Sequence, residues 1–506
     1  MTDYGSLLRD HVTLRCRSID RIFLQAYVPK LQAVGDVCRF LRWQRQYRIP
    51  SSAAFGKIGD AYVKAVYRFA EANPIPVVHF KKGEKKEETA RPYLEAAARE
   101  GQDRVVLIGV AQEKASVWRS WPRKGQEKTH HPHMDWGREM AYIHHFYIYL
   151  WDSEWGAAFW KTNAYAPLPI WLWRNGQEWA KRQLEKAGIA YEALDNGFRS
   201  CSDAAALQKI CDRLGPGAVQ SFFGRWWRRL PSPFTDADVG AGYGYQMSFR
   251  QLEVADTCVF DRPPAGRMWF EGVIRDHLDI GRPDQIALRV KQYFKEGRAL
   301  RTETVVCNPY DFDIGRRVCA QNWSALRAVG ESANRCLCDA ESADAQPAPD
   351  VATFSQVTRP STTDDGLYAP GLRFGEQRVM AILAVLVGFG FLIRGFTNSQ
   401  LVERVHALSQ APYTSRQATY DLRRLRRKGL IAKIAGTQRY QLAGLGRRVA
   451  VLFTKTYTRV LAPGLSLLDP RLPEDVAARS PLSMAWQGFE RNLNEFIQAN
   501  LVAART

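Results

Sequence analysis

"SRQATYDLRRLRRKGLIAKIAGTQRYQLAGLGRR", Ser415 to Arg448, carries ten Lys or Arg residues against one acid, Asp421. Read as a helix capped by Ser415 and running to about Lys428, stopped by Gly429, it places Ala418, Leu422 and Leu425 on one inward face. Arg416, Gln417, Tyr420, Arg423, Arg424 and Arg427 are left on the other. "LIAKIAG", a tight "GTQR" bearing Arg439, and "YQLAG" then read as two strands joined by a turn, and "LAGLGRRVAVLFTKTYTRVL" as a final helix. Upstream, "EQRVMAILAVLVGF" reads as a buried helix. "TNSQLVERVHALS" reads as a second, with Thr397 or Asn398 as its cap. The basic helix is either a solvated face or a surface built for a polyanion.

Helix, helix, helix, strand, turn, strand, helix resembles the winged helix–turn–helix of the multiple-antibiotic-resistance-regulator and phenolic-acid-regulator-like families. The matching phrases are "YDLRRLRRKGLI" and "GTQRYQLAGLGRRVA", with Ala443 where those families usually carry Thr. The resemblance covers roughly the last quarter of the chain and implies a recognition helix lying in the major groove. It points to base contacts from Arg416, Gln417 and Tyr420, and to phosphate contacts from Arg423, Arg424, Arg427 and Arg439. Composition agrees: 71 basic against 52 acidic residues give a net charge of +19, the balance that a phosphate backbone rewards. DNA is the expected partner, and RNA stays open as another.

At 506 residues the chain is too long for one ordinary core. Strand-like runs at Arg21–Val28, Ile75–Phe80, Arg104–Ala111 and His145–Asp152 alternate with helical patterns such as "GKIGDAYVKAVYRFAEA". The expected fold is an α/β (or α+β) N-terminal body with a mixed sheet, followed by a C-terminal all-α/winged-helix domain. The boundaries read as an α/β domain over 1–225, a second part of the body over 226–338 and a flexible linker over 339–370. A winged helix over 371–465 and a helical extension over 466–506 follow. The extension, with Trp486, Phe489, Leu493 and Phe496 at helical spacing, reads as a homodimer arm or as packing on its own module. The apolar run Val379–Ile393 is short of the ~20 residues that cross a bilayer, so no membrane is expected. The N-terminus lacks a signal pattern, and the nine cysteines form no CxxC pair. A cytoplasmic protein of bacterial type follows.

Within the body, "RVKQYFKEGRALRTETVV" sets Lys291, Tyr293 and Lys295 on one face of a strand, where two ammonium groups favour a phenolate. Arg301 and Glu303 share one face of the next strand, Leu300 and Thr302 the other. The phrase is similar to the "KxYxK…LRxE" of plasmid and filamentous-phage replication initiators. Those proteins cut one strand with a tyrosine and stay covalently attached, aided by a divalent ion. That resemblance implies Tyr293 as nucleophile, with Lys291, Lys295 and Glu303 beside it and Mg or Mn as cofactor. Without the chemistry, the same hairpin grips phosphates.

Metal ligands are also expected from "THHPHMDWGREM", with His131 and His133, and from "YLWDSEWG", with Asp152 and Glu154 after a strand. Glu178, Asp195 and Asp20 are possible partners in a ribonuclease-H-like arrangement. "RWWRRL" and "WLWRNGQEW" interleave Trp with Arg, as base-stacking surfaces and ordinary cores both do. The whole is similar to bacterial proteins of mobile DNA. The first functional expectation is a DNA-binding protein whose body nicks or processes DNA, in replication or transposition. A transcription regulator with a ligand- or partner-binding body and a non-catalytic architectural factor are the alternatives.

Overall fold

The computed structural model describes residues 4–265, 268–275, 286–343, 351–363, 366–388, 391, 393, 395–409, 411–434, 437–456, 488 and 491–492. The chain forms two compact units: Asp10–Asn334, and Asp3–Arg9 with Arg335–Thr506. Among the described residues no helix is long and apolar enough to cross a membrane.

The first unit is built on a ten-stranded sheet in the order β10-β11-β12-β9-β1-β6-β5-β4-β3-β2. Its strands are β1 (Val12–Tyr27), β2 (Val77–His79), β3 (Arg104–Pro122), β4 (Met134–Asp152), β5 (Gly156–Asn163) and β6 (Ile170–Asn175). β9 (Gln246–Phe260), β10 (Trp269–Arg275), β11 (Ile286–Lys295) and β12 (Ala299–Val306) complete it. Among the described strands only β2 and β3 pair in parallel, so the sheet is mixed, as expected. The expected division at 225/226 does not part it, because β9 pairs with β1 along nearly its whole length. A separate hairpin joins β7 (Tyr191–Leu194) to β8 (Gly197–Cys201).

Between the strands run α2 (Val34–Arg39), α3 (Ser52–Ala72), α4 (Lys86–Glu100), α5 (Gly176–Lys186), α6 (Ala204–Arg213), α7 (Pro216–Arg229) and the single turn α8 (Asp236–Asp238). Helix α5 starts where the Asn175 side chain accepts from the Gln177 and Glu178 amides, at 2.8 and 3.1 Å. α4 covers β3 and β4, burying Ala90 and Ala97 with Phe80, Leu107, Tyr147 and Trp151. Trp155 and Trp226 are fully enclosed. On such close-packed surfaces a single added carbon is felt.

The second unit holds α1 (Tyr4–Asp10), α10 (Val351–Thr358), the hairpin of β13 (Ser361–Thr362) and β14 (Tyr368–Ala369), and α11 (Gln377–Leu386). α12 (Asn398–Ser409), α13 (Ser415–Arg427), β15 (Ile431–Lys433), β16 (Tyr440–Leu442) and α14 (Gly444–Thr456) follow. α9 (Trp323–Ala343) contains the point of division. Phe396 bridges to Tyr440, adding one pairing to the β15–β16 ribbon. The core joins Met380, Leu383 and Leu386 of α11 to Leu401, Leu422, Leu425 and Phe453.

Two expectations are corrected. Thr414, not Ser415, caps α13, in a reciprocal box with Gln417. The supposed flexible linker is ordered over much of its length: α10 and the β13–β14 hairpin lie within it, and Val357 enters the core. A Pro- and Ser-rich composition gave no sign of the basic side chains that its carbonyls serve. The extension over 466–506 lies almost wholly outside the described residues.

Gly176 shows how tightly α5 is set on β1: a Cβ there would sit 2.2 Å from the Ile19 carbonyl oxygen. Gly176→Ala is therefore expected to cost about 1–3 kcal/mol, read as a lowered midpoint in urea unfolding.

Candidate active site and nucleic-acid interface

Register brings the candidate chemistry together. Tyr293 pairs across β11–β12 with Arg301, and Lys291 with Glu303. Arg301 and Glu303 in turn pair with Thr257 and Ala255 of β9. Lys291, Tyr293 and Lys295 thus share a face with Arg301 and Glu303, as the alternation of the strands predicts. On β1 the pairing with β9 jumps from Ile19↔Val254 to Ile22↔Leu252, so Asp20 and Arg21 lie opposite Glu253 alone. Such a bulge re-aims side chains. Asp20 is turned into the protein, while the side chain of Arg21 stays 60% exposed.

The result is a buried set of three carboxylates, Asp20, Glu253 and Glu303, each offering an oxygen within 4.8 Å of the others. Arg301, wholly buried, lies between two of them: Nη2 is 2.7 Å from Asp20 Oδ2 and Nε 2.6 Å from Glu303 Oε1. Its Nη1 donates to the Asn196 carbonyl at 2.8 Å. Asn196, at the tip of the β7–β8 hairpin, donates from its own amide to Asp20 at 2.8 Å. The next residue, Gly197, has φ +133°, and a Cβ there would meet Gln177 at 2.8 Å. The tip can close over the carboxylates because glycine follows Asn196.

Tyr293 donates its phenolic hydrogen to Glu303 at 2.8 Å. Burial raises the Tyr293 phenol above its ordinary range; Arg301 opposes this, while the charge of Glu303 and its hydrogen bond add to the rise. The phenolate expected from two flanking lysines is therefore not the resting form. Lys295 is turned to Asp195 instead, at 3.4 Å.

Burial drives Asp20 upward, but the charge of Arg301 and hydrogen bonds from Glu253, Asn196 and Arg301 leave its carboxyl below the usual range. Glu253 takes the opposite course. Burial, then the charges of Asp20 and Glu303 and the hydrogen bond to Asp20, push it up to about 8, with Arg21 opposing. A cation entering the set would displace the Glu253 proton; the three carboxylates and Arg301 then sum to −2, and the donors are all oxygen. That donor set and charge suit Mg²⁺ or Mn²⁺.

The other expected metal ligands are corrected. Asp152 is buried and taken up by Arg225 at 2.9 Å and the Trp226 indole at 2.7 Å. Its Oδ1 also receives the Glu154 and Trp155 amides. Glu154 pairs with the same arginine. His133 is exposed beside Asp135, and His130 and His131 face one another in the same loop. The histidines precede β4 and Asp152 ends it, so roughly 60 Å of strand separates the two groups. Glu178 pairs with Lys181. Asp20 belongs to the site, with partners other than those foreseen, and Glu253 was not foreseen. Its signal was a carboxylate set between Leu252 and Val254, three residues before Asp256.

In the second unit, Ala418, Leu422 and Leu425 are buried as expected. Arg416, Tyr420, Arg423, Arg426 and Arg427 are exposed along α13. Arg424 and Arg439 are not on that surface, being 5% and 3% exposed. Arg424 donates to the carbonyls of Pro370 and Gly371, and Arg439 to Gly395 and Gln400. Gln417 is engaged with Thr414. Asp421, Arg424 and Lys428 follow at helical spacing, forming a buried polar stripe turned inward. Burial pushes the Asp421 carboxyl up, although Arg378 lies 3.6 Å away. Comparison of the chain with family models, curated proteins and solved structures finds no match.

The proton on Glu253 links stability to pH. Its folded value, about 8, lies above the ordinary 4.5, so the folded chain keeps a proton that the unfolded chain releases. The contribution is complete below about pH 4.5 and is lost as pH rises to 8. Glu253→Gln is expected to gain on the native chain steadily as pH rises from 5 to 8. Urea titrations across that range would read it.

Proposed function

We propose that this protein binds duplex DNA through its second unit and cuts one strand with Tyr293 in its first. The observation that carries the reading is the hydrogen bond from Tyr293 to Glu303, a member of a buried trio of carboxylates with the charge and donors for a divalent cation. A nucleophile bonded to its own base, beside a cation site, is the arrangement that phosphoryl chemistry requires.

In the step itself, Glu303 accepts the phenolic proton as Tyr293 Oη forms a bond to phosphorus. One phosphorus–oxygen ester bond breaks, and the released sugar oxygen takes a proton from water. The product is a tyrosine-linked phosphate and a free hydroxyl end. Arg301 steadies the phenolate as the proton leaves. Asp20, Glu253 and Glu303 would hold the cation, which supplies charge neutralisation at the non-bridging oxygens. The resting protonation of Tyr293 fits this order of events, because the base is already in place.

The order of α11, α12, α13, the β15–β16 ribbon and α14, with the Phe396–Tyr440 bridge, supports reading the second unit as a winged helix. Arg416, Tyr420 and Arg423 remain as its DNA-facing stripe, while Arg427, exposed beside them, donates to the Tyr368 carbonyl at 2.8 Å. Arg424 and Arg439 are assigned to holding the unit together instead.

Incubation with supercoiled plasmid and Mn²⁺ or Mg²⁺ tests the cutting. Open circles and a protein–DNA adduct that survives detergent are expected, both lost in Tyr293→Phe with duplex binding kept. Equal nicking by that variant would remove Tyr293 from the reaction. For the duplex surface, Arg423→Ala should weaken binding to every sequence. The slope of log K against log salt should shrink by about 0.9 for the lost phosphate contact.

A further inference from the structure

A groove of about 960 Å³ lies on the sheet of the first unit, with Arg21, Lys86, Arg91, Tyr149, Phe159 and Trp173 among its lining. Its floor carries directly paired aromatics, Trp173 opposite Phe159 and Phe159 opposite Tyr149, and Phe23, opposite Trp173 on β1, continues the row past the lining. Phe23 and Trp173 stack with centroids 4.3 Å apart, and Tyr149 lies 5.7 Å from Phe159. Trp173 is 42% exposed, a large cost for an indole that serves only as core.

The groove does not stand apart from the candidate active site. Arg21, in its wall, follows Asp20 in the bulge, and its Nε is 4.0 Å from Glu253. Phe23 pairs with Gln251, two residues from Glu253 on the same strand face. A chain seated on the aromatics would therefore enter next to the three carboxylates. Two of the nearby cations are already paired, since Lys86 and Lys161 both hold Glu113 at 2.6 Å. Arg174, also in the lining, is buried and turned onto the Phe222 ring, which leaves Arg21 and Arg91 as the cations facing the groove, with Glu87 and Glu95 also in its wall. A site with many rings and few cations takes flat, π-faced groups on a sparsely contacted backbone.

We propose that this groove holds unpaired bases of single-stranded DNA, stacking them on Trp173 and its neighbours beside the cutting site. The inference rests on the strand-cutting reading, and it adds a second mode of DNA binding. Duplex held by the arginines of α13 depends steeply on salt. Single strand held by rings depends weakly, with a slope of roughly −1.4 for two phosphate contacts.

The full chain and a fluorescent eight-nucleotide thymidine strand provide the test, read by anisotropy against salt. Trp173→Ala is expected to weaken single-strand binding about tenfold or more, Trp173→Phe to recover most of it, and neither to alter duplex affinity. Single-strand affinity unchanged in Trp173→Ala, or no binding by the native chain, would overturn the proposal. So would loss in both variants alike, which marks a structural role for the indole. Detergent-stable adduct formation, scored separately with Tyr293→Phe, keeps a failure of the groove distinct from a failure of the cutting reaction.

Discussion

A guanidinium without water around it needs anions on more than one side, and Arg301 finds them in Asp20 and Glu303. Those partners come from β1 and β12, with β9 lying between the two strands. The ion set therefore ties the centre of the sheet across its hydrogen-bonding direction. Removing one member of such a buried set strands the others, at a cost on the order of 3–5 kcal/mol. The bulge at Asp20, the Asn196 tip and the absent side chain at Gly197 all serve this arrangement. The same charge balance sets Glu253 apart: with Asp20 and Glu303 ionised beside it, the third acid keeps its proton.

Much of this was legible in the strand alternation. Lys291, Tyr293 and Lys295 fall on one face because the period of a strand is two, and Arg301 and Glu303 follow by pairing. The rest needed long-range pairing that no local pattern encodes. Asp20 and Glu303 are 283 positions apart in the numbering and meet only because β9 and β12 complete the sheet that β1 begins. Asp152 and Glu154 looked equally able to hold a metal, yet Arg225 and Trp226 of α7 had already taken them. A carboxylate after a strand announces a turn as readily as a ligand.

The second unit divides in the same way. Helical spacing gave the apolar stripe of α13, and its capping signals were visible to within a residue. What spacing hides is that a helix can have two inward stripes. Leu422 and Leu425 face the apolar core, whereas Asp421, Arg424 and Lys428 face backbone carbonyls and hydroxyls supplied from earlier in the chain. Counting basic residues assigns all the arginines to the outside. Only the partners of each guanidinium tell which are spoken for.

Lys428 has a reach that its position in sequence conceals. Its ammonium donates to the Gln356 and Arg359 carbonyls and to the Ser361 hydroxyl, at 2.6–2.7 Å. Burial lowers its proton affinity. A fragment trimmed to start at Gly371 would retain every helix of the apparent reading head and still orphan this ammonium, while Arg424 would lose its Pro370 carbonyl. The smallest transplantable version of the module thus begins ahead of α10, and α10 with the β13–β14 hairpin belongs to its architecture rather than to a tether.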